Sequence, residues 1–304
     1  MPEPSGAWLW ADRRARVGLV LLALILGLAL AAPWVTAFEP NSQGDVVATR
    51  FRPPLSADGS GAFHPLGTDR FGRDVWTRLV YGARVSLATG VAATAIAVLL
   101  GVLVGAVAGV WRGPLGLALL ALTDFALALP RVVLLLLLAA LWPPSGALVI
   151  VVLGLTGWMG IARLVYGETQ ALMARPFTGA AEALGATRRR VVIRHVVPNV
   201  WTPVTVAAAL GVGNAITLEA GLSFLGLGVQ PPAPSWGGMI ASGRDTLINA
   251  PWVALAPGVA LVLVVVACTL VGDAIRDRLA GWPRTGGRAD GRTGGRADGR
   301  TEAS

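Results

Sequence analysis

Residues 175–199 read RPFTGAAEALGATRRRVVIRHVVPN, a polar and arginine-rich segment that lies between two strongly apolar runs. We predict that this segment contains a short polar helix at about 176–190, with its arginines concentrated on one side. A polar helix between two membrane spans indicates a surface that docks onto a partner outside the bilayer.

The composition of the remaining chain is typical of an integral membrane protein. Of 304 residues, 54% are hydrophobic and 14% are charged, and the mean hydropathy is +0.65. Soluble domains do not reach these values. A helix needs roughly 17 to 25 apolar residues to cross about 30 Å of hydrocarbon. Five runs reach this length, at 17–35, 85–110, 115–141, 200–219 and 252–272, and a sixth run at 147–162 is slightly shorter. We therefore predict an all-α polytopic membrane protein with six transmembrane helices.

Arginine indicates the orientation, because the chain has 25 arginines and no lysine. With the N-terminus inside the cell, 17 arginines face the cytoplasm, seven face outward and Arg131 lies in a span. The positive-inside rule therefore favours two cytoplasmic termini. The net charge of +8 follows from this bias and from the tail, so we predict no nucleic-acid binding.

This orientation divides the chain into five parts. They are a cytoplasmic N-terminus at 1–16, a first helix at 17–35, an extracytoplasmic segment at 36–84, a five-helix core at 85–275 and a cytoplasmic tail at 276–304. The tail repeats TGGRADGR at 285–292 and 293–300, and this composition predicts disorder. Contact of its arginines with membrane lipid is an alternative.

The sequence offers few groups for catalysis. His64 and His195 fall on opposite sides of the membrane, so we predict no metal site formed by histidines. A nucleotide-binding phosphate loop of the G-x-x-x-x-G-K-[ST] kind needs a lysine, which this chain lacks. The motif G-x-S-x-G is absent as well. We therefore predict a protein that is not an enzyme by itself and that holds no cofactor.

Four separated segments resemble one family. They are HPLGTDRFGRDVWTRLVYGARVSL (64–87), ARPFTGAAEALGATRRRVVIRHVVPN (174–199), LSFLGLGVQPPAPSWGGMI (222–240) and PWVALAPGVALVLVVVACTLVGDAIRDRL (251–279). Together they resemble the permease subunits of ABC importers for dipeptides, oligopeptides and nickel, of the kind with an extra first helix before a five-helix core. The resemblance covers about residues 15–280.

The resemblance implies a type I ABC importer permease fold in the bacterial inner membrane. It implies a heterodimer with a homologous permease subunit, two ATP-binding cassette ATPase subunits and an extracytoplasmic substrate-binding protein. The expected substrates are di- or oligopeptides, with nickel or another small solute as the alternative. An ion-coupled secondary transporter is a further alternative, for which only Asp124 and Glu219 offer intramembrane carboxylates. A membrane scaffold does not explain the docking segment.

In this family a cytoplasmic loop helix enters a groove on the ATPase. The resemblance maps the motif of this loop onto Gly179, Ala180, Ala181, Gly185 and Pro198. We add Phe177, Glu182 and Leu184 to the predicted coupling surface. The first motif position is normally glutamate and is Gly179 here, so Glu182, one turn on, is the candidate acidic contact. Phe177 and Leu184 are seven residues apart, a spacing that places both on one helix face. The alternative is a helix that lies on the membrane through Arg188–Arg190.

Three residues are candidates for the translocation path, namely Asp124, Pro130 and Arg131. On a continuous helix Asp124 and Arg131 lie two turns apart on nearly the same face. Pro130 loosens the helix between them, so we expect Arg131 to reach toward Asp124 or into the path. Pairing of Arg131 with the other permease subunit is the alternative. In the extracytoplasmic segment, spacing predicts the ion pairs Asp69–Arg73 and Asp74–Arg78.

Overall fold

The computed structural model describes residues 12–111, 113–176, 178 and 184–279. Within these ranges the chain is mostly helical, as predicted, and its two strands, β1 (Ser56–Ala57) and β2 (Phe63–His64), form a short antiparallel hairpin. We number the described helices α1 (Arg13–Leu30), α2 (Ala32–Val35), α3 (Val46–Thr49), α4 (Val75–Val110), α5 (Pro114–Ala128), α6 (Arg131–Ala140), α7 (Gly146–Met173), α8 (Arg188–Val191), α9 (Val197–Phe224), α10 (Trp236–Gly243) and α11 (Trp252–Leu279).

Four of these helices, α4, α7, α9 and α11, are long and apolar enough to cross a membrane. The bent pair α5–α6 is a fifth candidate. The first predicted span corresponds to α1, whose 18 residues include three arginines in its first turn. The six predicted spans therefore each correspond to one of these helices or to the bent pair.

Two spans extend further as helices than the hydropathy of the sequence indicates. α4 begins at Val75 rather than at 85, because the Asp74 carboxylate accepts a hydrogen bond from the Thr77 backbone N–H at 2.7 Å and caps the helix. α7 continues to Met173, past the predicted end at 162. Charged residues interrupt the apolar window in both places, but they do not interrupt the helix. The N-terminal turns of α4 thus belong to the predicted extracytoplasmic segment.

The span predicted at 115–141 is not one continuous helix, because α5 and α6 meet at an angle of 88°. The break lies at Leu129 and Pro130. Leu129 has an extended backbone, with φ −76° and ψ 134°. Proline lacks a backbone N–H and disfavours the helical conformation in the residue before it, so the chain turns sharply here.

α4 and α7 pack closely along a row of glycines on α4. Gly101, Gly105 and Gly109 are spaced one per helical turn and face α7. A Cβ atom built on Gly105 would lie 2.4 Å from the carbonyl oxygen of Ala162, and one built on Gly109 would lie 2.6 Å from the Cβ of Thr169. Small residues at this spacing allow two helix backbones to approach, as is typical of membrane helix pairs.

A continuous helical rod joins the polar segment to the core. α8 leads directly into one π-helical turn at Val192–Val196, and this turn leads into α9. Pro198 has no backbone N–H and is the second residue of α9, just after the π turn, where the hydrogen-bonding pattern of the rod changes. α9 then packs against α4, α7, α10 and α11. It therefore connects the cytoplasmic side of the predicted topology with the opposite side.

Candidate translocation path and coupling surface

A cavity of about 320 Å³ lies near the middle of α4, α7 and α9 and is partly open. Its volume is in the range of small-molecule sites. Most of its wall is made of small or aliphatic side chains. The lining residues are Ala93, Thr94, Ala97, Arg131, Leu153, Gly157, Gly160, Ile161, Ala207, Leu210, Gly211, Asn214 and Ala215. Among the described residues that line it, none is acidic.

Arg131 is the charged member of this wall. It is the first residue of α6, directly after the break at Pro130, and the sharp turn brings it to the cavity. A Cβ atom on Gly157 would lie 3.3 Å from the Arg131 Nη2 atom, so the guanidinium packs against the bare backbone of α7. Within the described ranges, the buried Arg131 Nε and the Thr94 hydroxyl oxygen both lack a hydrogen-bond partner.

The expected approach of Arg131 to Asp124 is wrong. Asp124 forms an ion pair with Arg163 Nη1 at 3.0 Å, and both side chains are about half exposed. The bend at Pro130 separates the two faces that a continuous helix would align. Asp124 is also not among the residues that line the cavity. Of the three predicted path residues, the structure places Arg131 in the cavity wall and Pro130 at the turn that positions it.

The predicted coupling residues fall largely outside the described residues. Phe177, Gly179, Ala180, Ala181 and Glu182 lie there. The described members are Leu184, Gly185 and Pro198.

Leu184 is 90% exposed, an unusual position for a large apolar side chain. Gly185 has φ +88°, a left-handed conformation that favours glycine. At the start of the segment, the buried Thr178 hydroxyl donates to the Met173 carbonyl at 3.0 Å. This bond attaches the segment to the end of α7.

Beside this segment lies an open depression of about 680 Å³. Its described wall is Thr187, Arg190, Ile193, Arg194 and Pro198. Two arginines and an exposed isoleucine make this a basic and partly apolar surface, at the end of the rod that the predicted topology places in the cytoplasm. Such a surface suits contact with a protein that offers carboxylates and a hydrophobic side chain.

Glu219 forms a buried polar network that the sequence did not indicate. Its carboxylate is fully buried and accepts hydrogen bonds from the Ser223 hydroxyl at 2.7 Å and the Ser86 hydroxyl at 3.2 Å. The Ser86 oxygen in turn accepts the Trp236 backbone N–H at 3.2 Å. The Trp236 ring donates to the Leu79 carbonyl at 3.0 Å. This network joins α4, α9 and α10 at the end of the helices opposite to the coupling segment.

The predicted extracytoplasmic segment contains a second buried network around His64. The His64 Nδ1 atom lies 2.9 Å from Asp74 Oδ1, and the ring stacks on Phe38 with 5.0 Å between ring centroids. The Ser60 hydroxyl and nearby backbone N–H groups lower the pKa of Asp58 to about 2. In the described part of the chain, no three His, Cys, Asp or Glu side chains lie close enough together to hold a metal ion.

Of the two ion pairs predicted in this segment, one is confirmed. Arg73 Nη2 lies 2.6 Å from Asp69 Oδ2. The pair Asp74–Arg78 is wrong, because Asp74 caps α4 and contacts the histidine, whereas Arg78 donates to the Pro40 carbonyl at 2.9 Å. Arg78 therefore ties the chain after α2 to the start of α4.

Comparison with known proteins gives consistent matches. Residues 82–284 match the family model described as binding-protein-dependent transport system inner membrane component. The di/tripeptide transport system permease protein DppC of Pseudomonas aeruginosa is 37% identical over 269 residues, which cover 88% of this chain and 88% of that protein. The oligopeptide transport system permease protein OppC of Haemophilus influenzae is 33% identical over 283 residues, or 90% of this chain and 89% of that protein.

A solved structure also matches. It is a chain of the MetNI methionine ABC transporter in inward-facing conformations, with a TM-score of 0.51 and 22% identity over 65% of this chain and 94% of that chain. At this identity the likeness shows a shared fold.

Proposed function

Because the chain belongs to the family of binding-protein-dependent transport system inner membrane components, we propose that it forms one half of a peptide-importing ABC permease. Its location is the bacterial inner membrane, which it crosses several times. The observation that carries the proposal is the rod formed by α8, the π turn and α9. One end of this rod borders the basic depression, and its middle forms a wall of the cavity.

Peptides are the proposed substrates because relatives named for di/tripeptides and oligopeptides match nearly the whole chain. Nickel is less favoured. The cavity wall contains an arginine, and its described residues include no acidic side chain. A fixed positive charge in a medium of low dielectric constant repels a metal cation.

We propose the following assembly. A homologous permease subunit covers the open side of the cavity, two ATP-binding cassette ATPases dock on the cytoplasmic side and a substrate-binding protein docks on the outer side. Both termini lie in the cytoplasm, as the arginine distribution favours. The tail from residue 280 onward lies outside the described residues, and contact of its arginines with lipid headgroups is proposed only as the alternative to disorder. Closure of the ATPases then alternates the access of the cavity between the two sides of the membrane.

The polar segment is proposed as the contact with the ATPase. Leu184 supports this role, since its side chain is 90% exposed and contact with a partner protein would remove this apolar surface from water. Gly185 allows the chain to turn back toward α8. We also assign coupling to Phe177, Gly179, Ala180, Ala181 and Glu182, which lie outside the described residues, and to Pro198 at the rim of the basic depression.

An ion-coupled secondary transporter is not favoured. It needs a carboxylate exposed to the transport path, and neither Asp124 nor Glu219 lines the cavity. Asp124 forms an ion pair with Arg163, and the Glu219 carboxylate accepts hydrogen bonds from two serine hydroxyls.

The proposal is tested in the native bacterium by deleting the gene for this chain and measuring uptake of labelled dialanine. Uptake is expected to fall to background and to return when the gene is supplied again. A tag on the chain is expected to recover a homologous permease and two ATPases from mild detergent. Equal dialanine uptake with and without the gene would contradict peptide import, and recovery without any ATPase would contradict the ABC assembly.

A further inference from the structure

We propose that Arg131 and Thr94 form a subsite that binds the terminal carboxylate of a peptide while it crosses the membrane. This inference rests on the proposed function, and it names the part of the substrate that the cavity recognises. According to this proposal, the cavity recognises the charged end of the peptide and does not recognise its variable side chains.

Arg131 carries a charge that no described residue neutralises. Its guanidinium borders the cavity, and in the described part of the chain no carboxylate pairs with it. A permanent charge at this depth is costly unless water or an opposite charge meets it. The carboxylate of a passing peptide supplies that opposite charge for the time that the peptide is bound.

The Thr94 hydroxyl offers the cavity a second polar group. This side chain is 6% exposed and lines the same cavity, and its oxygen has no hydrogen-bond partner among the described residues. Thr156 bonds back to its own helix, at the Val152 carbonyl at 2.8 Å. The buried hydroxyls of Thr77, Thr94 and Thr169 have no partner among the described residues, and of these three Thr94 lines the cavity. A buried hydroxyl without such a bond is available to a ligand.

The shape of the cavity wall around Arg131 suits a carboxylate. Gly157 leaves the guanidinium against the backbone of α7, since a Cβ there would lie 3.3 Å from Nη2 and 3.0 Å from the Cβ of Ala97. Arginine presents two parallel N–H groups that match the two oxygens of a carboxylate. The remaining wall is small and mostly apolar, so it offers no second charge for a particular side chain. One charged contact with a group that every peptide carries allows broad side-chain tolerance.

The test compares two substrates in the same cells, in which the chromosomal gene is replaced by each variant. One substrate is labelled dialanine and the other is labelled dialanine amide, which lacks the carboxylate. Since the binding protein is identical in all strains, a change in the ratio of the two uptake rates reports on this chain. Arg131→Gln is expected to lower dialanine uptake about tenfold and amide uptake less than twofold. Arg131→Lys is expected to retain part of the dialanine rate.

Matched controls accompany each variant. Arg163→Gln removes an arginine of α7 that does not line the cavity, and it is expected to keep the wild-type ratio. Thr94→Val is expected to shift the ratio in the same direction as Arg131→Gln by about threefold, the factor for one hydrogen bond. Thr156→Val, which deletes a hydroxyl bonded within its own helix, is expected to leave the ratio unchanged.

Two results overturn the inference. One is an equal fall of both substrates in Arg131→Gln, which would assign the arginine to packing or to pairing with the partner subunit. The other is dialanine uptake at the wild-type rate in that variant. Failure of peptide import itself would appear separately, as dialanine uptake in the wild type no higher than in cells without the gene.

Discussion

Replacing Gly105 by alanine tests the close contact between α4 and α7. The added Cβ would lie 2.4 Å from the carbonyl oxygen of Ala162 and 2.8 Å from the Cβ of Val165. The first of these is a backbone atom, so no rotamer change relieves the clash. Overpacking of this kind costs about 3 kcal/mol, and the better helix propensity of alanine returns about 1 kcal/mol. We expect a net loss of stability of about 2 kcal/mol.

Gly167→Ala on α7 is the matched control. A Cβ at Gly167 would have no atom within 4 Å. The same chemical change should therefore be neutral, or stabilise the helix by up to about 1 kcal/mol.

The assay is thermal denaturation of the complete transporter, purified in mild detergent through a tag on this chain. A loss of about 2 kcal/mol corresponds to a midpoint lower by about 4 to 8 °C. We expect this decrease for Gly105→Ala and no decrease for Gly167→Ala. Equal midpoints for the two variants would refute the argument that glycine is needed for the contact between the helices.

Three further predictions concern the buried network, the coupling segment and the nucleotide chemistry. Ser86→Ala removes one of the two serine hydroxyls that bond to the Glu219 carboxylate and takes away the acceptor of the buried Trp236 backbone N–H, so the thermal midpoint should fall by an amount equivalent to about 1 to 3 kcal/mol; an unchanged midpoint would show that the network is not stabilising. Leu184→Asp should insert normally and lose co-purifying ATPases and transport, whereas Ile248→Asp, at a side chain that is 97% exposed on the opposite side of the predicted topology, should retain both; retained ATPases in the first variant would contradict docking. The chain purified alone should release no phosphate from ATP, because it has no lysine for a phosphate loop; turnover that survives removal of contaminating ATPases would contradict this prediction.

Hydropathy predicted which parts of the chain are helical membrane segments, but not where those helices end. A helix ends where its backbone loses hydrogen-bond partners, whereas a hydropathy window ends at the first charges. Arg84 and Arg163 therefore shortened the predicted spans, although both lie within helices. In the first case the cap at Asp74 determines the start of the helix.

The sequence predicted where the helix breaks near Pro130, but it did not predict the angle between α5 and α6. Proline and the residue before it indicate a loosened helix, and the angle of 88° depends on how α5 and α6 pack on α7. The expected contact between Asp124 and Arg131 failed for this reason, because spacing along the sequence predicts a contact only on a continuous helix.

The candidate site was predictable only in part. Arg131 was conspicuous because it is an isolated charge in an apolar run. Thr94 and Gly157 carry no such signal, since threonine and glycine are common in membrane helices. Their importance comes from the packing of α4 and α7, which brings distant parts of the chain to one cavity.

The π turn at Val192–Val196 sets how far α8 is rotated about the axis of the rod relative to α9. A π turn holds one residue more than an α turn, so it acts as an insertion of one residue, which corresponds to about 100° around the axis of an α-helix. The direction in which Arg190 faces is thereby turned by about this angle relative to the face of α9 that carries Gly211. Adding or removing one residue in this turn would rotate the basic depression about the axis of the rod relative to the cavity wall. The side chains of both surfaces would stay the same.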